Sequence, residues 1–144
     1  LIQNSHQHLP SDEVRLYLGR AQMELRCGSK DEAADYLRQA ASVINERGVS
    51  WWRPVQLYFQ AAVHLAERAF DTARETLEQA LTAVEEGGNP DYRPLILLEL
   101  AHLAHTEVQE QRYLIQCVEA AKKRARHLDR LHCLQVGKAL GYQQ

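Results

Sequence analysis

The 144 residues carry 17 Lys and Arg against 19 Asp and Glu, a formal charge of -2, and are 45% hydrophobic and 25% charged, with 7 Gly, 4 Pro and 3 Cys. That apolar load excludes a disordered chain, and the low Gly, Pro and Cys contents exclude collagen-like and disulfide-scaffold chains. The near-neutral balance provides no global field for a polyanion or an acidic membrane, and the length is that of one domain with a core of its own.

Residues 1–10, including His6-Gln7-His8, read as a flexible N-terminal segment. No apolar run approaches the ~20 residues of a membrane span, and no basic segment precedes an apolar one at the N-terminus. Cys27, Cys117 and Cys133 are odd in number and widely spaced, which fits a reducing compartment, so a cytoplasmic location is expected. The chain begins at Leu1 rather than Met, and a piece of a longer protein is expected from that.

From residue 11 onward the apolar positions recur with helical period, two patterns to a unit. The first unit has Tyr17 and Ala21 on one helix, a break at Gly28-Ser29, then Asp31 in the first turn of a second helix that carries Ala33, Leu37 and Ala40 and ends at Gly48. The second has Pro54 in a first turn, then Leu57, Tyr58, Ala61 and Leu65. Its second helix follows Asp71 with Ala73, Leu77, Ala80, Leu81 and Val84, and stops at Gly87-Gly88. The third repeats Pro94, Leu97 and Ala101, then Tyr113, Cys117 and Ala120. Leu131, Leu134 and Leu140 begin a fourth unit without a second helix.

A shift of forty residues therefore superposes Ala21, Ala61 and Ala101, and likewise Ala40, Ala80 and Ala120, without a gap. Trp52-Arg53-Pro54 falls on Tyr92-Arg93-Pro94, and Gly48 on Gly88. The small residues allow close helix approach while Leu37 or Leu77 fills the space one turn away. The expected fold is all-α: a helical-repeat solenoid of about three hairpins, units 11–50, 51–90 and 91–128, plus a partial fourth at 129–144. Arg20 and Glu24, polar where the third unit has Leu100 and Ala104, place the first unit at a less covered end.

The spacing Ala21, Ala33, Ala40, repeated as Ala61, Ala73, Ala80 with Leu37 and Leu77 at the large apolar position, resembles the tetratricopeptide repeat over residues 11–128. That resemblance implies a right-handed superhelix with the first helices lining its concave surface. The units are longer than the family's usual one by six residues, between Ala40 and Leu57 and between Ala80 and Leu97, and longer helices there are expected. In this they are similar to the sensor regions of maltose-regulator-type bacterial transcription activators. Leu18-Gly19, Tyr58-Phe59 and Leu98-Glu99 stand where the chaperone-tail clamps of the family carry Lys and Asn, so that clamp is not expected.

The family's geometry assigns to the concave surface Arg15, Leu18, Gln22 and Arg26, then Tyr58, Phe59 and Ala62, then Glu99, His102 and His105. A phenol beside a carboxylate and an imidazole offers one apolar face and several orienting hydrogen-bond groups. No nucleophile elbow, phosphate loop or zinc-protease motif occurs, so no catalytic residue and no enzyme is expected. His102 and His105 have no second ligand pair at a zinc spacing, and neither a metal nor another cofactor is expected. The basic run Lys122 to Arg130 lacks interleaved aromatics for base stacking and complements a helix C-terminus, so nucleic acid is not the expected partner. Trp51 and Trp52 fit the seam between two hairpins, as Tyr92 does in the next unit, the alternative being that one of them is an exposed anchor for a partner.

The expected function is a protein–protein interaction scaffold, a regulatory segment of a larger cytoplasmic protein that receives a peptide, a partner protein or a neighbouring domain. The alternative is an effector-sensing domain with a small molecule enclosed between Tyr58 and His102. A homodimer through the C-terminal end is also expected, from the uncovered face of the last helix.

Overall fold

The computed structural model describes the backbone of residues 9–139 and the side chains of residues 9–127. These residues form six α-helices and no strand: α1 (Pro10–Arg26), α2 (Lys30–Arg47), α3 (Arg53–Ala66), α4 (Phe70–Glu85), α5 (Arg93–His102) and α6 (Glu107–Ala139). They pack in adjacent pairs, α1 on α2, α3 on α4 and α5 on α6. Contacts of α2 with α3, α4 with α5 and α1 with α3 join the pairs. No described helix is long and apolar enough to cross a membrane.

The helix ends follow from local chemistry. Pro10, Pro54 and Pro94 lie in first turns, where a missing N–H costs no helical bond. Gly48 ends α2 at φ 68°, with its N–H on the Ile44 carbonyl, and Gly87 follows α4 at φ 104°. Between α1 and α2 the left-handed position is Gly28, whereas forty residues on it is Arg68, at φ 60°. Arg68→Gly is therefore expected to raise stability by up to about 1 kcal/mol, read as a higher urea midpoint, because a Cβ is disfavoured there. The third unit uses another device: Thr106 Oγ1 accepts the Gln109 N–H at 3.1 Å and Gln109 Oε1 accepts the His105 N–H at 3.3 Å, a variant of the capping box.

Two clusters make the core. One joins Val14, Leu18 and Ala21 of α1 and Leu37, Ala40 and Ile44 of α2 to Val55, Phe59 and Val63 of α3. The other joins Ala61 of α3 and Leu77, Ala80 and Val84 of α4 to Ile96 and Leu100 of α5. Helix α3 is thus buried on opposite sides, against the pair before it and against its own partner. Each fully buried Leu or Ile side chain contributes roughly 1.5–3 kcal/mol of transfer free energy. On α6 the same register is only partly covered, at Tyr113, Cys117 and Ala120.

The six residues added between units do not all lengthen helices. Part of them forms single 3-10 turns, Ser50–Trp52 and Pro90–Tyr92, which carry Trp52 and Tyr92 into the two seams. The turns are tied together, since the Asn89 N–H donates to the Trp51 carbonyl at 3.0 Å and Asn89 Oδ1 accepts from the Asp91 N–H at 3.0 Å. A Cβ on Gly88 would lie 2.4 Å from Pro54 Cγ and 2.8 Å from the Ala83 oxygen, so only glycine allows this approach.

The expected boundary between residues 128 and 129 falls inside α6, which runs unbroken for 33 residues. Repeat register asks for a break near residue 128, but Leu128 supplies neither the αL tolerance of glycine nor a proline. Residues 1–8 and the side chains of Leu131, Leu134 and Leu140 lie outside the described residues.

Candidate functional site

The strongest concentration of recognition chemistry lies where α3 meets α5. Helix α3, started by Pro54, points Phe59 into the first cluster and leaves Tyr58 partly buried against both clusters. The turn opened by Asn89 brings Tyr92 edge-on to both rings, at centroid distances of 5.5 Å from Tyr58 and 6.2 Å from Phe59. Tyr58 and Phe59 are 5.7 Å apart in the same edge-to-face geometry. Such pairs each add about 0.5–1.5 kcal/mol beyond area burial, so the aromatic platform is firmly held. On α5, Glu99 lies close enough to act on Tyr58, and His102 Nδ1 is 3.8 Å from Glu99 Oε2.

Burial pushes the Tyr58 phenol above its usual 10.0, and the charges of Glu99 and Tyr92 push it the same way. Burial likewise raises Tyr92, with Asp91 adding to it. Both phenols are neutral hydrogen-bonding groups at physiological pH. A raised folded value means the unfolded chain loses its phenol protons first, so stability is complete below pH 10 and falls as pH rises through the folded values. In an ultraviolet phenolate titration, with the Tyr58 step identified by its loss in Tyr58→Phe, Glu99→Gln is expected to lower that step while burial keeps it above the ordinary value; an unchanged step would remove Glu99 from the site.

Of the residues assigned from sequence, Tyr58, Glu99 and His102 come together. Arg15 has its guanidinium 5.7 Å above the Trp52 ring, a cation–π contact at the first seam, and shares one side of α1 with the exposed Gln22 and Arg26. Ala62 is partly buried on α3. Two assignments are corrected: Leu18 is 4% exposed and Phe59 8%, and both are core. The core stripe of α1 is Val14, Leu18 and Ala21, while Phe59 fills the seam between α3 and the first pair. His105 belongs elsewhere, since it accepts a hydrogen bond from Arg74, which also donates to Asp71 at 3.3 Å. Trp52 and Tyr92 were placed at seams but not in the site; their shared position in Trp-Arg-Pro and Tyr-Arg-Pro was the available signal.

Other features do not converge on this surface. Among the described residues no three His, Cys, Asp or Glu side chains are grouped to hold a metal. Cys117 Sγ donates to the Pro94 carbonyl at 3.2 Å, and Cys27 is exposed and free. Glu24, by a side-chain hydrogen bond and then by its charge, raises the Glu32 carboxyl, and both groups lie on the first pair. Lys122, Lys123, Arg126 and His127 are exposed on α6, and Arg124 Nε contacts Asp91 Oδ1 at 3.3 Å. Open hollows of about 310 to 630 Å³ occur on the described residues; one, between α5 and α6, is lined by Tyr92, and these hollows are not lined by Tyr58, Glu99 or His102. No protein-family model, curated protein or solved structure matches the chain.

Proposed function

We propose that this chain is a recognition module, a tetratricopeptide-like stack of forty-residue hairpins whose first-helix surface binds a peptide or a helix of a partner protein, within a regulatory segment of a larger cytoplasmic protein. The observation that carries this reading is the junction of Tyr58, Tyr92, Glu99 and His102. It combines rings fixed by edge-to-face packing with a carboxylate and an imidazole at the solvent side. Aromatic anchors with adjacent orienting groups are the usual composition of an interaction hot spot. The hollow beside Tyr92 opens toward α6 and is not lined by Tyr58, Glu99 or His102, which favours an open surface for a chain over a small molecule enclosed between Tyr58 and His102.

A displayed random-peptide library selected on the wild-type chain tests it. Selected peptides are expected to lose at least about tenfold in affinity, roughly 1.4 kcal/mol, on the Tyr58→Phe, Glu99→Gln, His102→Ala triple variant, with the helical circular dichroism unchanged. Tyr58→Phe is the correct truncation because Tyr58→Ala would also open both core clusters. Failure to enrich any peptide, or peptides indifferent to the triple variant, would contradict the proposal.

A further inference from the structure

The two seams treat their aromatic residue differently. At the first, the chain itself sets a cation on Trp52: the Arg15 guanidinium lies 5.7 Å above the ring, and Arg20 lies 5.9 Å above the Tyr36 ring in the same way. Forty residues on, Tyr92 takes the place of Trp52, and the residue in the register of Arg15 is Val55, which is buried and carries no charge. Among the described residues no Lys or Arg lies over the Tyr58 or Tyr92 ring.

A carboxylate stands beside these rings instead. Glu99 occupies the register of Phe59, and its charge acts on the Tyr58 phenol. Its ion-pair partner among the described residues is His102, whose Nδ1 is 3.8 Å from Oε2, beyond hydrogen-bond reach. That imidazole is 63% exposed and the Glu99 side chain 31%, so the contact is weak and the carboxylate stays open to a stronger one. Arginines of the neighbouring elements are engaged elsewhere: Arg53 donates to Asn45, Arg74 donates to Asp71, and Arg124 contacts Asp91.

The faces of the rings and the carboxylate both attract positive charge. We propose that the partner segment bound at this junction presents a Lys or Arg side chain, its charge held by the Tyr58 and Tyr92 rings and the Glu99 carboxylate. The rings take up the alkyl stem together with the charge, and the carboxylate selects a cation over an apolar side chain of the same size. The second seam thus receives from a partner the aromatic–cation contact that the first makes within the chain. This inference rests on the recognition reading above and names the chemistry that is recognised.

Two displayed random-peptide libraries, one with every amino acid and one encoded without Lys, Arg and His, separate the two claims. The first is expected to enrich peptides that carry a Lys or Arg, and the second to enrich none that bind at the junction. In an acetylated copy of the tightest binder, norleucine for Lys or citrulline for Arg removes the charge and keeps the stem. That change is expected to weaken binding to the wild-type chain at least about tenfold, and binding to Glu99→Gln no more than about threefold, because the variant has already lost the opposing charge. Glu99 is partly exposed, so Glu99→Gln is expected to keep the wild-type helical circular dichroism. Three results would overturn the inference and leave the recognition reading standing: uncharged peptides that bind at the junction, binders indifferent to loss of their charge, or an equal loss on Glu99→Gln. Enrichment from neither library would overturn both.

Discussion

Leu77→Ala is expected to destabilise the fold by about 2–5 kcal/mol, the range for emptying a fully buried leucine position. Leu77 is completely buried in the second cluster, among Ala61, Ala80 and Val84 of its own pair and Ile96 and Leu100 of α5, so the cavity would open where two pairs meet. Cys117 is its equivalent on α6 and is only partly buried, and Cys117→Ala is expected to cost about 1 kcal/mol or less. Urea denaturation reads the contrast as a large midpoint shift for one and a small shift for the other. Equal losses would mean that the third pair is covered as fully as the second.

Ala61→Leu is the complementary change and is expected to cost about 1–3 kcal/mol by overpacking. Ala61 is buried in the second cluster, and Ala21 and Ala101 are buried at the same register, so three helix pairs keep this position small. A leucine there must separate α3 from α4 or force Leu77 out of its rotamer. A lowered urea midpoint with an unchanged slope is the expected result. No loss of stability would show that the alanine register does not mark the helix contact.

These residues also show how much the sequence disclosed. The buried alanines, Leu37, Leu77 and the glycines at helix ends were legible because packing distance and left-handed backbone restrict residue type directly. The surface assignment was less so. Leu18 and Phe59 were placed on the concave face by family geometry, yet Leu18 belongs to the core stripe of α1, and α3 is covered on opposite sides: its polar stripe Gln56, Gln60 and His64 is buried or partly buried, so polarity does not mark the side that faces solvent. The length of α6 was obscured for the opposite reason: register demanded a break that the residues near Leu128 have no means to make. The Glu99–His102 pair was readable from its spacing of three on one helix. The part of Tyr92 in the platform required knowing that a 3-10 turn carries it onto α3.

The claim that the α3–α5 junction is the recognition surface is tested most directly by mapping amide chemical-shift changes when a library-selected peptide is added to the labelled chain. Changes concentrated at Trp52, Tyr58, Tyr92, Glu99 and His102, with α4 and the C-terminal half of α6 unmoved, are the predicted result. Changes confined to the basic stretch Lys122 to His127, or to the exposed side of α1 at Leu16 and Met23, would contradict it.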